Sequence, residues 1–264
     1  MDLMYSIAAA PVWLAALVVV VIPTALVMCG PIVVRRLAPT ERIAANNEVA
    51  GFKFATLGVV YAVLLGLVVI SVWEKFAEAD DAVTREGGAI ASLFRLSDGV
   101  AMPHQQALRD RLAEYVDSAA ENDWPAMAGG GESPETGRAL DGVYRAILAI
   151  DAAAPRDAVV LDALLSQADL LTDARRERLA LAEGVMPTPI WVVLFIGAGL
   201  TLAFTFFFGL ENLRAQVVMA GMLALAIFLA LFVAVSISHP FTGPLSVSAE
   251  PIVRLADTFD PAPE

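Results

Sequence analysis

The sequence is short of the residue types on which most enzyme and metal chemistry depends. It has one cysteine, Cys29, in 264 residues, so an intrachain disulfide is impossible and the redox compartment is unreadable. Only two histidines occur, His104 and His239. A structural zinc site takes four ligands drawn mostly from Cys and His, and no Cys/His cluster offers them. Each histidine is therefore expected at a surface or a helix end. The glycines Gly129-Gly130-Gly131 lack the Lys-Ser/Thr end of a phosphate loop and read as a flexible linker. Acidic residues are many but dispersed, with no pair standing out for acid–base work. No catalytic residue, metal ligand or cofactor is expected, and the chain is not expected to be an enzyme. Strand-like alternation of useful length and internal repeats are also missing, which points to an all-α chain.

Positive charge is scarce as well. The formal net charge is −12, and residues 74–183 hold 21 Asp+Glu against 11 Lys+Arg. Nucleic-acid binding is excluded by this balance, because phosphate contacts need cationic side chains. The acidic block reads as a solvated helical surface. It would also attract cations to any opening that it surrounds.

The most informative absence is of charge itself. Four runs contain no Asp, Glu, Lys, Arg or His: Ile7 to Cys29, Phe54 to Trp73, Met186 to Leu210 and Ala215 to Ser238. Each reaches the roughly 20 apolar residues needed to cross a bilayer core about 30 Å thick. The chain is 58% hydrophobic, above the level of a soluble domain. Four transmembrane helices are expected. The first run lacks the basic start of a signal peptide and is expected to remain as a span. Proton relays and voltage sensors use ionisable groups at membrane depth, so a proton-driven pump loses weight. A pore gated by dewetting at an apolar constriction needs no such group.

The runs come as two hairpins with a helical block between them. The expected divisions are residues 1–74 for the first two spans, 75–185 for the soluble block, 186–238 for the last two spans and 239–264 for a C-terminal tail. The first connection is expected over Gly30 to Lys53 and the last over Glu211 to Arg214. In the block, Phe76, Val83 and Ile90 recur every seven residues, with Ala79, Leu93 and Phe94 on the same face. Nothing interrupts this stripe before Gly87-Gly88, so the second span is expected to run on into the block as one rod. Pro103 opens a second helix, which Asp123-Trp124-Pro125 and the triple glycine are expected to break. A third helix holds Leu140 to Leu148, and Pro155 opens a fourth. Cationic residues near the membrane ends are balanced between the two sides, so charge leaves the orientation open.

The second span carries the strongest packing signal. Gly58, Ala62 and Gly66 fall on a four-residue step, and Ala55 lies near the same face. Small residues so spaced let helices approach closely in lipid. The stripe reads either as ordinary packing or as the lining of a pore, together with Phe52 and Val59. Asn46, Asn47, Glu48 and Lys53 stand at the start of this helix, either as a polar pore mouth or as a headgroup anchor.

Five segments also resemble a bacterial membrane family described as bestrophin-like. They are Asn46-Asn47-Glu48-Val49-Ala50-Gly51-Phe52, Trp73-Glu74, Trp124-Pro125, the run Phe204 to Gly209, and Pro240-Phe241-Thr242-Gly243. The resemblance covers about residues 10 to 255. Bestrophins are homopentameric ion channels whose second helix lines the pore with an apolar neck and whose helical domain encloses a cytoplasmic vestibule. Carried over, Phe52 to Ser71 would line the pore, with the termini and the block cytoplasmic. The resemblance implies a multi-pass protein of the bacterial inner membrane, with inorganic ions, lipid and further copies of itself as partners, five copies favoured. The second helix is small and aliphatic where a bestrophin neck is aromatic, and no acidic cluster follows the last helix. The alternative is a non-conducting scaffold or sensor whose acidic helical domain binds a partner.

Overall fold

The computed structural model describes residues 3–37, 47–151, 155–209 and 211–259. Among these residues all regular structure is helical, as the missing strand alternation implies. Helix α1 is Leu3–Ala8, α2 the span Val12–Leu37, α3 Asn47–Leu96 and α4 His104–Ser118. A π-turn over Ala119–Asp123 leads into the short α5, Trp124–Met127. Then follow α6 Pro134–Leu148, α7 Pro155–Ala182, α8 Thr188–Phe204, α9 Leu213–Ser236 and α10 Glu250–Phe259. Among the described residues, four helical stretches are long and apolar enough to cross a membrane: Val12–Leu37, Asn47–Gly99, Thr188–Phe207 and Leu213–Ser236.

The chain divides into two compact units. One takes the residues up to Glu74 together with Val185–Ser238, and the other takes Lys75–Gly184 and the segment from His239 onward. Helix α3, 50 residues long, contributes to both.

In the membrane unit, α9 packs mainly on α2. The first connection is shorter than the sequence suggests. Gly30 and Pro31 look like a stop signal, yet α2 continues through them to Leu37, and α3 starts at Asn47 rather than after Lys53. The reason is packing. A Cβ on Gly30 would lie 2.2 Å from the Phe206 ring, so this glycine makes room for an aromatic instead of ending a helix. Pro31 is buried inside α2, where neighbouring helices offset the lost backbone bond. Gly197 does for α8 what Gly30 does for α2. Its missing Cβ would stand 2.7 Å from the Tyr61 ring, and Tyr61 is buried as a result. The Asn212 side chain caps α9, accepting from the N–H groups of Arg214 at 3.0 Å and Ala215 at 3.3 Å.

In the soluble unit, α6 lies along α4 and α10 packs on α4 as well. Val83, Ile90 and Leu93 of α3 are fully buried with Leu108, Leu112 and Tyr115 of α4, as the seven-residue recurrence implies. The Gly87-Gly88 pair does not end α3. A Cβ on Gly87 would meet the Pro251 carbonyl oxygen at 3.0 Å, so Gly87 admits the start of α10. The expected break at Asp123-Trp124-Pro125 is also corrected. The chain stays helical through the π-turn, and Pro125 sits in the first turn of α5, where its missing N–H costs nothing. The triple glycine is a hydrogen-bonded turn: the N–H groups of Gly129 and Gly131 donate to Ala126 O, and that of Gly130 to Met127 O. Ser133 then caps α6 with Pro134 at its first position.

Candidate functional site

On α3, Phe52, Ala55, Val59, Val63, Gly66 and Ile70 recur at helical spacing, and every one is exposed. Ala62 is also exposed at the edge of this face, and Gly58 is half-buried beside it. Nothing lies within 4 Å of where a Cβ would stand on Gly58 or Gly66. At Gly58 and Gly66 the small-residue line therefore meets no neighbour among the described residues, while the opposite side of the helix is closed by Tyr61, Leu65, Val68 and Val72. Trp73 and Glu74 are exposed at the end of the span.

The start of α3 is tied down more firmly than a pore mouth requires. Asn47 Nδ2 donates to the carbonyl of Gly209 at 2.9 Å, and the Gly209 N–H donates back to Asn47 Oδ1 at 3.0 Å. One carboxamide thus satisfies both backbone groups of a residue 162 positions away. Beside it, Phe54 stacks on Phe204 at 6.0 Å and meets Phe208 edge-on at 5.6 Å. Two of the five sequence segments, Asn46–Phe52 and Phe204–Gly209, therefore build one junction. A cavity of about 430 Å³ lies against it, reaching from Asn47 and Gln216 to Phe54 and Leu223. Glu48 and Lys53 are exposed, and Asn46 lies outside the described residues.

The soluble unit holds a buried charge cluster that no sequence motif announces. Glu86, Asp123 and Arg178 are fully buried, and Arg175 nearly so. Arg178 donates from Nε to Glu86 Oε2 at 2.6 Å and from Nη2 to Glu86 Oε1 at 2.9 Å. Its Nη2 also reaches Asp123 Oδ2 at 3.2 Å. Arg175 grips Asp123 with Nε at 2.9 Å and Nη2 at 3.1 Å. Tyr115 adds its hydroxyl to Glu86 Oε1 at 2.6 Å, and Ser133 its N–H to Asp123 Oδ1 at 3.0 Å. Two cations face two carboxylates, so the ionised cluster is neutral and each oxygen is hydrogen-bonded, the condition for burying charge. Burial alone would lower the affinity of Arg178 for its proton. The Glu86 carboxylate, with Tyr115 and Asp123, outweighs that and raises it. Burial, then the Glu86 charge, pushes the Tyr115 hydroxyl well above its ordinary value of 10.0.

This cluster binds elements together; among the described residues no group of three or more His, Cys, Asp or Glu is placed to hold a metal. One signal for it was present. Glu86 sits between Val83 and Ile90 in the apolar stripe of α3, a position where a carboxylate survives only with a partner.

The remaining motifs pair in the same unit. The Arg178 guanidinium lies 4.6 Å from the Trp124 ring centroid. The Trp124 indole meets Phe241 edge-on at 6.0 Å and donates its N–H to the carbonyl of Val247 at 3.3 Å. Thr242 Oγ1 donates to Ala128 O at 3.2 Å, and the Val247 N–H to Pro240 O at 2.7 Å. Gly243 takes φ +81°, a conformation that favours glycine. Trp124-Pro125 is thus the receptor for Pro240-Phe241-Thr242-Gly243, and Ile252 of α10 is buried beyond them.

The bestrophin-like domain family matches residues 21–252. The chain belongs to the bestrophin-like family. Its fold is that of solved bacterial relatives. A crystal structure of a bestrophin homologue from Klebsiella pneumoniae, bearing a single substitution, superposes with a TM-score of 0.71 at 14% identity, over 90% of this chain and 98% of that one. Another structure of a homologue from that organism, phased on zinc, gives 0.68 at 15% identity, over 90% and 96%. At such identities the likeness is one of fold. No curated protein sequence matches this bestrophin-like chain. With four candidate spans it is a membrane protein, as its uncharged runs imply.

Proposed function

We propose that this bestrophin-like chain is one subunit of an oligomeric ion channel, five subunits favoured, whose α3 face lines an apolar pore. The observation that carries the reading is the uncovered stripe from Phe52 to Ile70. From Phe52 to Ile70 the helix advances 18 steps, or about 27 Å at 1.5 Å per residue, close to the roughly 30 Å of a bilayer core. The stripe carries no ionisable group and has open space at Gly58 and Gly66. An apolar stripe in that position is what a dewetting constriction needs. Glu48 and Lys53 would flank its mouth, while Asn47 serves the junction with Gly209. The inner membrane, with the soluble unit and the termini in the cytoplasm, is the location that the family membership favours.

The test is direct. Purified protein reconstituted in planar bilayers should pass current, and native mass measurement should return an oligomer. Bilayers that stay silent with an intact oligomer overturn conduction. A monomer in native-like lipid overturns the pore itself.

A further inference from the structure

The cavity beside the Asn47–Gly209 junction has a polar end and an apolar end. Asn47 and Gln216 lie at one end, and the apolar end is walled by Phe54, Met219 and Leu223. From Asn47 to Phe54, and from Gln216 to Leu223, the helices advance seven residues, roughly 10 Å. Its volume of about 430 Å³ falls among those of small-ligand pockets.

Gln216 supplies a second, independent observation. It is only 5% exposed, and its Nε2 is committed to the carbonyl of Phe208 at 2.7 Å. Its Oε1 accepts no hydrogen bond from the described residues. That oxygen keeps some accessible surface, and it belongs to a residue that lines the cavity. Asn47 cannot serve it, because both arms of its carboxamide are held by Gly209. The group that fits must bring a donor to Gln216 and an aliphatic body to Phe54 and Leu223.

The cavity also lies at a defined level of the membrane unit. The start of α3, the end of α8 and the start of α9 all meet there. This is the end of the spans, where a bilayer places its headgroups. The order from polar rim to apolar floor is the order of a lipid entering from that side.

We propose that this cavity is a binding slot for one long acyl chain, with a hydrogen-bond-donating head at Gln216 and the chain running toward Phe54 and Leu223. The slot is a feature of one subunit and does not rest on conduction. Two sources carry that chemistry, a bilayer phospholipid whose headgroup bears a hydroxyl or ammonium, and a free fatty acid in its protonated form, since the ionised carboxylate only accepts.

The full-length protein is reconstituted in vesicles of phosphatidylglycerol and phosphatidylethanolamine and photolabelled in two arms. One arm uses phosphatidylglycerol with a diazirine in one acyl chain, and the other uses diazirine palmitic acid. Label should concentrate on the peptides that hold Phe54 and Leu223, above the level at Val192 and Leu200, which are exposed on α8. Gln216→Glu keeps an acceptor but loses the bond to Phe208, whereas Gln216→Leu removes both that bond and the one to the ligand. Only Gln216→Leu should lower the cavity label, by about fivefold for the one ligand bond. Met219→Trp changes a residue that is 61% exposed, so the subunit should fold as before while the slot is blocked and the label lost. Enrichment in either arm supports the slot and names its source. Label spread evenly over α8 and the cavity, or unchanged in Met219→Trp, overturns it.

Discussion

The guanidinium of Arg178 lies 4.6 Å from the ring centroid of Trp124, and that contact joins the two halves of the soluble unit's logic. On one side of Arg178 is the buried carboxylate of Glu86. On the other is the indole that receives Phe241 and Val247. A single side chain therefore neutralises α3 from within and supports the surface on which the C-terminal segment sits.

Removing that charge should be severe. Arg178→Met keeps much of the volume but leaves Glu86 and Asp123 with one cation between them. Breaking a buried pair from one side costs about 3–5 kcal/mol. Thermal unfolding of the full-length protein should show this as a large fall in midpoint. The double change Glu86→Leu with Arg178→Met should recover a substantial part, because the orphaned carboxylate is then gone.

Alkaline pH should act through Tyr115. Burial, together with Glu86, holds its hydroxyl protonated well above the ordinary value of 10.0 in the folded chain. The unfolded chain releases that proton near the ordinary value, so the contribution is complete below pH about 10 and declines above it. Tyr144 is raised in the same direction, chiefly by burial, and adds to the slope. Chemical denaturation across pH 8 to 11 should give a flat region followed by a fall. Tyr115→Phe should flatten part of that fall while costing about 1.5–3 kcal/mol at neutral pH, the worth of a hydrogen bond to a charged group.

The docking of the C-terminal segment should depend on Trp124. Trp124→Ala removes the edge-on contact with Phe241, the bond to Val247 and the face under Arg178. Trp124 is half-buried, so its truncation should cost less than the about 3–5 kcal/mol of a fully buried tryptophan. Limited proteolysis should then cut after His239 much faster than in the wild type. Trp124→Phe keeps a ring without the N–H and should be cut at an intermediate rate.

Substitution at Gly58 should separate the pore from the subunit. A Cβ there meets nothing within 4 Å, and replacing glycine in a helix gains up to about 1 kcal/mol. Gly58→Leu should leave the subunit as stable as before, or slightly more so. On the channel reading it should lower single-channel current, or shift the subunit count in native mass measurement. An unchanged current and an unchanged count would leave the α3 face without a role in conduction.

The spans and the helical class were legible because uncharged length and missing alternation are local properties. Val83 and Ile90, with Ala79 and Leu93, could be read as a buried stripe for the same reason, while Phe76 and Phe94 of the same face are half-buried. Errors arose where one residue serves a distant one. Gly30 looks like a terminator until the Phe206 ring is seen to occupy its missing side chain, and Gly87 until Pro251 is seen above it. The charge cluster was hidden because Glu86 and Arg178 stand 92 residues apart, and Glu86 has no partner nearby in sequence. The motifs were visible singly. That Asn47 closes on Gly209, and Trp124 on the Pro240–Gly243 turn, is a matter of pairing, which no single segment contains.

The π-turn at Ala119–Asp123 has a further consequence. A π-turn holds one residue more than the α-helix it interrupts, and everything after it is rotated by about 100° relative to an uninterrupted helix of 3.6 residues per turn. Asp123 is the last residue of that turn, and its carboxylate is the one that Arg175 and Arg178 share. The surplus residue thus acts as a phase correction in the chain. Deleting any one of Ala119 to Glu121 would leave every contact residue in the sequence, yet swing the Asp123 carboxylate off the arginines and the Trp124 indole off Phe241. In this stretch residue count matters as much as residue identity, and a one-residue deletion should be more damaging than most substitutions within it.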